Sequence, residues 1–138
     1  MGGEAHRIFT FSMRVPYAHT DQMGMVYYAN YLVYFEMARA ALMREVGLPY
    51  GELEKRGVYL PVVEAHCEYR KPARFDQLVE VRSRCTEFRG VRLRIEYEVV
   101  GDGELLATGH THHVCMTRDG KVVRPVAEVR NLVQLRGS

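Results

Sequence analysis

The chain has 138 residues and a mass of 15.9 kDa, room for a single domain over 1–138 built on one core. Hydrophobic residues make 47% and charged residues 26%, close to globular averages, which argues against a disordered solvating tail or a fibrous repeat. With 19 Lys+Arg against 17 Asp+Glu the formal charge is only +2, so nucleic-acid binding driven by bulk phosphate neutralisation is not expected and any anion site must be local.

Arg7 to Val15 alternates Phe9, Phe11, Met13 and Val15 against Ile8, Thr10, Ser12 and Arg14, the period of a strand with one apolar face. Pro16 ends it, and Tyr17 to Gly24 reads as a polar loop. From about Tyr28 to Val46 the period changes: Tyr31, Phe35, Ala38, Leu42 and Val46 recur at helical spacing, with Tyr34, Met37 and Ala41 as a second apolar row. Two apolar rows predict a long helix mostly wrapped by other structure. Gly47 and Pro49 stop it, and Tyr50 to Arg56 is a short helical turn.

The second half reads as strands: Val58 to Tyr69, closed by Pro72; Leu78 to Phe88; Val91 to Val99; and Leu105 to Thr117. Arg89-Gly90 and Gly101-Asp102-Gly103 are hairpin corners, which predicts a meander. Lys121 to Arg124 and an amphipathic helix, Ala127 to Leu135, follow, so the core covers about 8–125 with a C-terminal segment over 126–138. One strand, a long helix and four or so antiparallel strands make an α+β domain, a curved sheet around one helix. Such a sheet keeps open edges, and pairing with a second copy is expected.

Cys67, Cys85 and Cys115 are odd in number and far apart, which suits neither a disulfide framework nor a four-thiolate zinc site. No leader pattern opens the chain and no run of ~18 apolar residues occurs, so a cytoplasmic protein without a membrane span is expected.

Chemistry concentrates between Tyr17 and Glu36, where Asp21 sits in a glycine-containing loop just before the long helix. Unpaired N–H groups in a first helical turn, with the positive end of the helix dipole, can polarise a carbonyl and hold the oxyanion formed on attack. Asp21 could attack or activate water; equally, it could be only a turn former. A thiol leaves as thiolate with little help from an acid, so a thioester suits so sparse a site.

The run Tyr17 to Glu36 resembles the signature of the 4-hydroxybenzoyl-CoA thioesterase-like group of hotdog-fold acyl-CoA thioesterases, especially its Tol-Pal-associated members. Its elements are the tyrosine, Thr20-Asp21, Gly24, a hydrophobic pair, an aromatic residue, Asn30-Tyr31 and the acidic Glu36. Tyr69-Arg70-Lys71-Pro72-Ala73-Arg74-Phe75-Asp76 and the corner Phe88-Arg89-Gly90 match further family segments. The resemblance implies a hotdog fold and hydrolysis of an acyl-CoA to a free acid and coenzyme A, with no cofactor, in a homodimer or dimer-of-dimers with active sites at the subunit interface. It makes Asp21 the catalytic nucleophile or general base, the backbone N–H of Tyr28 the oxyanion donor, and Glu36 an acyl-facing residue.

Gly24, Val26, Tyr27 and Tyr31 are implied to line the acyl site, with Tyr34 beside them. Arg70, Lys71, Arg74 and the corner Arg89, Gly90 and Arg92 are candidates for coenzyme A phosphates, although strand arginines are usually just solvated. The chain departs from the pattern at His19, where relatives commonly carry an acid two residues before the aspartate; an imidazole there removes a like charge from beside Asp21. His110, His112 and His113 crowd one strand, but no carboxylate or cysteine stands at a companion spacing, so no metal is assigned. A noncatalytic acyl-CoA-binding or partner-binding protein is the alternative reading, and a hotdog dehydratase is a weaker one, since its histidine motif is missing.

Overall fold

A computed structural model describes residues 7–125 together with Ala127 and Val129. The helix expected over 127–135 otherwise lies outside the described residues, as does the rest of the C-terminal segment. The elements are β1 (Phe9–Arg14), a 3-10 turn (Tyr17–His19), α1 (Asn30–Glu45), α2 (Tyr50–Lys55), β2 (Val58–Tyr59), β3 (Val62–Tyr69), β4 (Leu78–Arg89), β5 (Arg92–Gly101), β6 (Glu104–Thr117) and β7 (Val122–Val123).

Only β4, β5 and β6 form the expected meander; β1 adds antiparallel to the outer side of β4, and β3 to the far side of β6. The strand expected over 58–69 is broken at Leu60 and Pro61, where proline has no N–H to give a ladder. Its halves, β2 and β3, pair with successive stretches of β6. The result is a curved antiparallel sheet laid against one long helix, the hotdog arrangement.

The sheet's inner face is set by alternation: Val79, Val81 and Cys85 on β4, and Leu93, Ile95, Tyr97 and Val99 on β5, are all buried. Tyr31, Tyr34, Phe35, Ala38, Leu42 and Met43 of α1 complete that core, and the Phe35 ring stacks on Tyr97 at 4.4 Å, nearly parallel. The helix is less wrapped than its two apolar rows suggest, because Leu32, Val33 and Glu36 form an exposed outer stripe.

Gly109 of β6 lies under Phe35: a Cβ there would come within 2.5 Å of the ring and would also collide with the carbonyl oxygen of His66. Backbone cannot yield as a side-chain tip can. Gly109→Ala is therefore expected to lower unfolding free energy by about 1–3 kcal/mol, measured by urea denaturation. An unchanged midpoint would show that the helix rides further from the sheet than described.

A polar chain threads this core. Arg39, only 8% exposed, donates to the hydroxyls of Tyr50 and Tyr97, each at 3.1 Å. Tyr97 shares a 2.7 Å hydrogen bond with Thr111, Thr111 meets His113 Nε2 at 2.8 Å, and His113 Nδ1 reaches the carbonyl oxygen of Leu60 at 3.1 Å. Since a carbonyl can only accept, Nδ1 carries the proton and Nε2 of the neutral ring accepts from Thr111.

Candidate active site

The loop before α1 is held by its own backbone and by the segment around Ala73. Asp21 N donates to the carbonyl oxygen of Met25 at 2.8 Å and Gly24 N to that of Asp21 at 3.0 Å, closing a tight turn in which Gly24 takes φ +74°. Val26 N donates to Ala73 O at 2.8 Å and Phe75 N to Gly24 O at 3.1 Å, which clamps the loop against the strand exit. Gly24 thus serves as a turn residue and is not among the residues that line the cleft described below.

Asp21 Oδ1 accepts from the N–H groups of Met23 at 2.8 Å and Met25 at 3.2 Å. Oδ2 has no protein hydrogen-bond partner among the described residues. The carboxylate is therefore fixed by one oxygen and leaves the other for chemistry.

The entry to α1 is equally specific. Tyr27 N and the Asn30 side-chain amide both donate to His19 O, at 2.9 and 3.0 Å, so the chain turns sharply into the helix. Asn30 N, Tyr31 N and Leu32 N reach back to the carbonyls of Tyr27, Tyr28 and Ala29. The N–H groups of Tyr28 and Ala29 have no backbone acceptor among the described residues, and no side chain caps the helix. They form the open donor pair at its mouth.

Asp21 and Tyr28, at the helix mouth, open on one cleft of about 510 Å³, lined by these two with Met25, Val26, Tyr27, Tyr31, Tyr69, Arg70, Lys71 and Pro72. Four tyrosines with Met25, Val26 and Pro72 make its wall, suited to an apolar acyl group, and its rim carries two cations. Lys71 Nζ is paired with Glu104 at 2.5 Å and Arg70 with Glu68 at 3.6 Å, so both cations are partly neutralised.

Of the residues implied as substrate-binding, the structure gathers Val26, Tyr27, Tyr31, Arg70 and Lys71 with Asp21 and Tyr28. His19 is turned inward instead: its Nδ1 lies 3.0 Å from the Tyr34 hydroxyl, beneath the loop and outside the cleft. Glu36 is exposed on the outer stripe of α1, a turn and a half beyond the helix mouth, because one helical turn separates residues about 3.6 apart. Arg74 lines a separate surface hollow beside Asp76 and Gln77. Arg89, Gly90 and Arg92 stand apart from this cleft within the chain: from Ala107, opposite Tyr69, to Val114, opposite Arg92, β6 runs on the order of 20 Å.

Tyr69, like Met25 and Pro72, is a cleft residue that sequence reading passed over. Its hydroxyl donates to Tyr28 O at 3.2 Å and its ring meets Tyr31 edge-on at 5.2 Å. Holding that carbonyl fixes the plane of the Tyr28–Ala29 peptide, and so the direction of the Ala29 N–H. Partial burial, helped by the neighbouring Cys67 thiol and the Tyr31 and Tyr28 phenols, pushes the Tyr69 phenol up to about 12, so it remains a donor. The available signal was alternation, since Ala65, Cys67 and Tyr69 share the inner face of β3.

Across residues 15–133 the sequence matches the profile described as the thioesterase-like superfamily. The chain belongs to that family. It is 36% identical over 108 residues to YneP of Bacillus subtilis (strain 168), covering 78% of each chain. It is 30% identical over 127 residues to the acyl-CoA thioester hydrolase YbgC of Escherichia coli O6:H1 (strain CFT073), covering 91% of this chain and 93% of that one. The crystal structure of hypothetical protein TT1821 from Thermus thermophilus superposes with a TM-score of 0.87 at 42% identity, over 93% of this chain and 99% of the other. Membership of this superfamily makes the chain a thioester hydrolase of the hotdog class.

Proposed function

We propose that this thioester hydrolase acts on acyl-CoA, with Asp21 as the reacting carboxylate and the Tyr28 and Ala29 N–H groups as oxyanion donors. The observation that carries the reading is that Asp21 and Tyr28, whose N–H stands at the helix mouth, line one cleft. Charge developing on the thioester oxygen would meet amides already oriented and needing no reorganisation, the condition under which such donors are most effective.

Two routes fit the same carboxylate. As general base, Asp21 takes a proton from water while the water oxygen bonds to the carbonyl carbon; the tetrahedral oxyanion collapses, the C–S bond breaks, and the thiolate leaves or is protonated. As nucleophile, Asp21 bonds to the carbonyl carbon and expels the thiolate; water then cleaves the mixed anhydride and restores the carboxylate. Both balance with water alone, so we assign no cofactor.

Incubating the chain with a panel of acyl-CoAs and following thiol release tests the activity. Label in the Asp21 side chain after a single turnover in ¹⁸O-water identifies the anhydride path with water entering at the aspartyl carbonyl. Water entering at the acyl carbonyl, as in the general-base route, labels the product acid instead, and hydroxylamine capture of the acyl group then reports an anhydride. Binding of acyl-CoA without thiol release would favour the noncatalytic reading instead.

We further propose that the working unit is a homodimer. Along the sheet edge β3 exposes Val62, Val63 and Tyr69, and α1 exposes Leu32 and Val33, an apolar surface next to unpaired strand backbone. A second copy laid edge to edge would extend the sheet and close the open side of the cleft at Tyr69. Light scattering is expected to give twice the chain mass, and Val63→Lys is expected to shift it toward the monomer with loss of turnover; a monomeric wild type that is fully active overturns the dimer. No helix among the described residues is long and apolar enough to cross a membrane. No disulfide joins Cys67, Cys85 and Cys115 among the described residues, in keeping with the reducing cytoplasm we propose as the setting.

A further inference from the structure

We propose that Glu64, His110 and His112 form a divalent transition-metal site on the outer face of the sheet, of a kind suited to zinc. The three ligand atoms lie within 4.8 Å of one another, gathered across two strands. Register explains it. His110 and His112 alternate onto the face opposite Thr111 and His113, and Glu64 of β3 stands directly across the ladder from His112. The companion carboxylate absent from the local sequence arrives from the neighbouring strand.

The local geometry favours coordination. The β3–β6 register shifts between Val62 and Glu64, a bulge of the sort that re-aims a side chain. Glu64 Oε2 lies 3.7 Å from His110 Nε2, while Oε1 lies 3.7 Å from the Arg92 guanidinium. One carboxylate oxygen is thus turned to the histidine and the other is held by a cation outside the ligand set, the arrangement that orients metal-binding carboxylates. In a tetrahedral zinc site ligand atoms are about 3.4 Å apart, so only small side-chain adjustments separate the present triad from a closed one. His66 stacks on His110 at 5.1 Å and is itself bonded to Glu68, which braces the ring. An open hollow beside the triad, bordered by Glu64, Glu87 and His112, gives an ion access and leaves room for a water as fourth ligand. Arg89, Arg92 and Arg94 border it too, Arg92 facing Glu64 and Arg94 engaged by Glu96 at 3.1 Å.

Two imidazoles and one carboxylate are the donor set of three-ligand zinc sites with one open position. The metal would clasp the edge strand β3 to β6, on the face away from the Asp21 cleft.

The test uses the full chain carrying Cys67→Ser, which removes the one thiol that is not buried. After chelator treatment and removal of any affinity tag, zinc chloride is titrated calorimetrically and cobalt(II) is followed by its visible spectrum. Expected are one ion per chain at micromolar affinity or tighter, a cobalt band of four-coordinate intensity, and a Tm rise of about 5–10 °C at hundredfold excess over Kd. Glu64→Gln and His112→Gln should each weaken binding more than tenfold while leaving the metal-free Tm unchanged, and His66→Gln should retain it. The proposal is overturned by absence of binding at about 100 μM zinc, a threshold near −5.5 kcal/mol. Affinity unmoved by Glu64→Gln, or loss as large in His66→Gln, overturns it equally.

Discussion

Asp21→Asn is expected to lower kcat for thioester hydrolysis by about 10³-fold or more with little change in KM, because it removes either a nucleophile or a base acting only on the way to the transition state. The substitution is nearly isosteric, and an asparagine carbonyl can still accept from the Met23 and Met25 N–H groups that Oδ1 now holds. The loop and its clamp to Ala73 should therefore persist, and an unchanged Tm would separate chemical loss from unfolding. The residual rate would report the helix-mouth amides and binding alone. Thiol release within tenfold of the wild type would remove Asp21 from the reaction and with it the proposed mechanism.

A pH-dependent stability is the second large effect. Burial, followed by the Arg39 cation, pushes His113 from the usual 6.5 down to about 4, the Leu60 carbonyl opposing only weakly. Above pH 6.5 the ring is neutral in both folded and unfolded chains and contributes no pH dependence. As pH falls from 6.5 toward 4 the unfolded chain takes up a proton that the folded chain refuses, so stability is lost across that window by about 3 kcal/mol. Urea denaturation of the wild type should show this slope, and His113→Gln should flatten it while the contributions of exposed carboxylates remain in both. Parallel pH curves for the two proteins would mean that the folded core admits the charged ring.

The buried network also shows where sequence reading stopped short. His113 was grouped with His110 and His112 because the three are adjacent in the chain, yet its side chain points the other way and ends in a hydrogen-bond chain to Arg39. Alternation already implied the division between faces; it could not supply the partners. In the same way nothing in the spacing along α1 marks Arg39 as the charge that is buried against Tyr50 and Tyr97.

Much of the architecture was legible along the chain, since helical and strand periods follow from which side chains must leave water and are written into consecutive residues. The β4–β5–β6 hairpins, the helix stop at Gly47 and the placement of Asp21 before α1 are of this local kind. Which arginines meet a phosphate is not of this kind, for a hairpin corner has no local mark of how far it lies from a cleft. Periodicity along the chain carries the face of most strand residues and the type and approximate ends of the elements, though not the break at Leu60 and Pro61. Which residues meet is a property of the folded sheet, which sets Tyr69 on the Tyr28 carbonyl and Glu64 against His112. Such meetings depend on strand order and register, and these are set by burial and backbone pairing across the whole sheet at once.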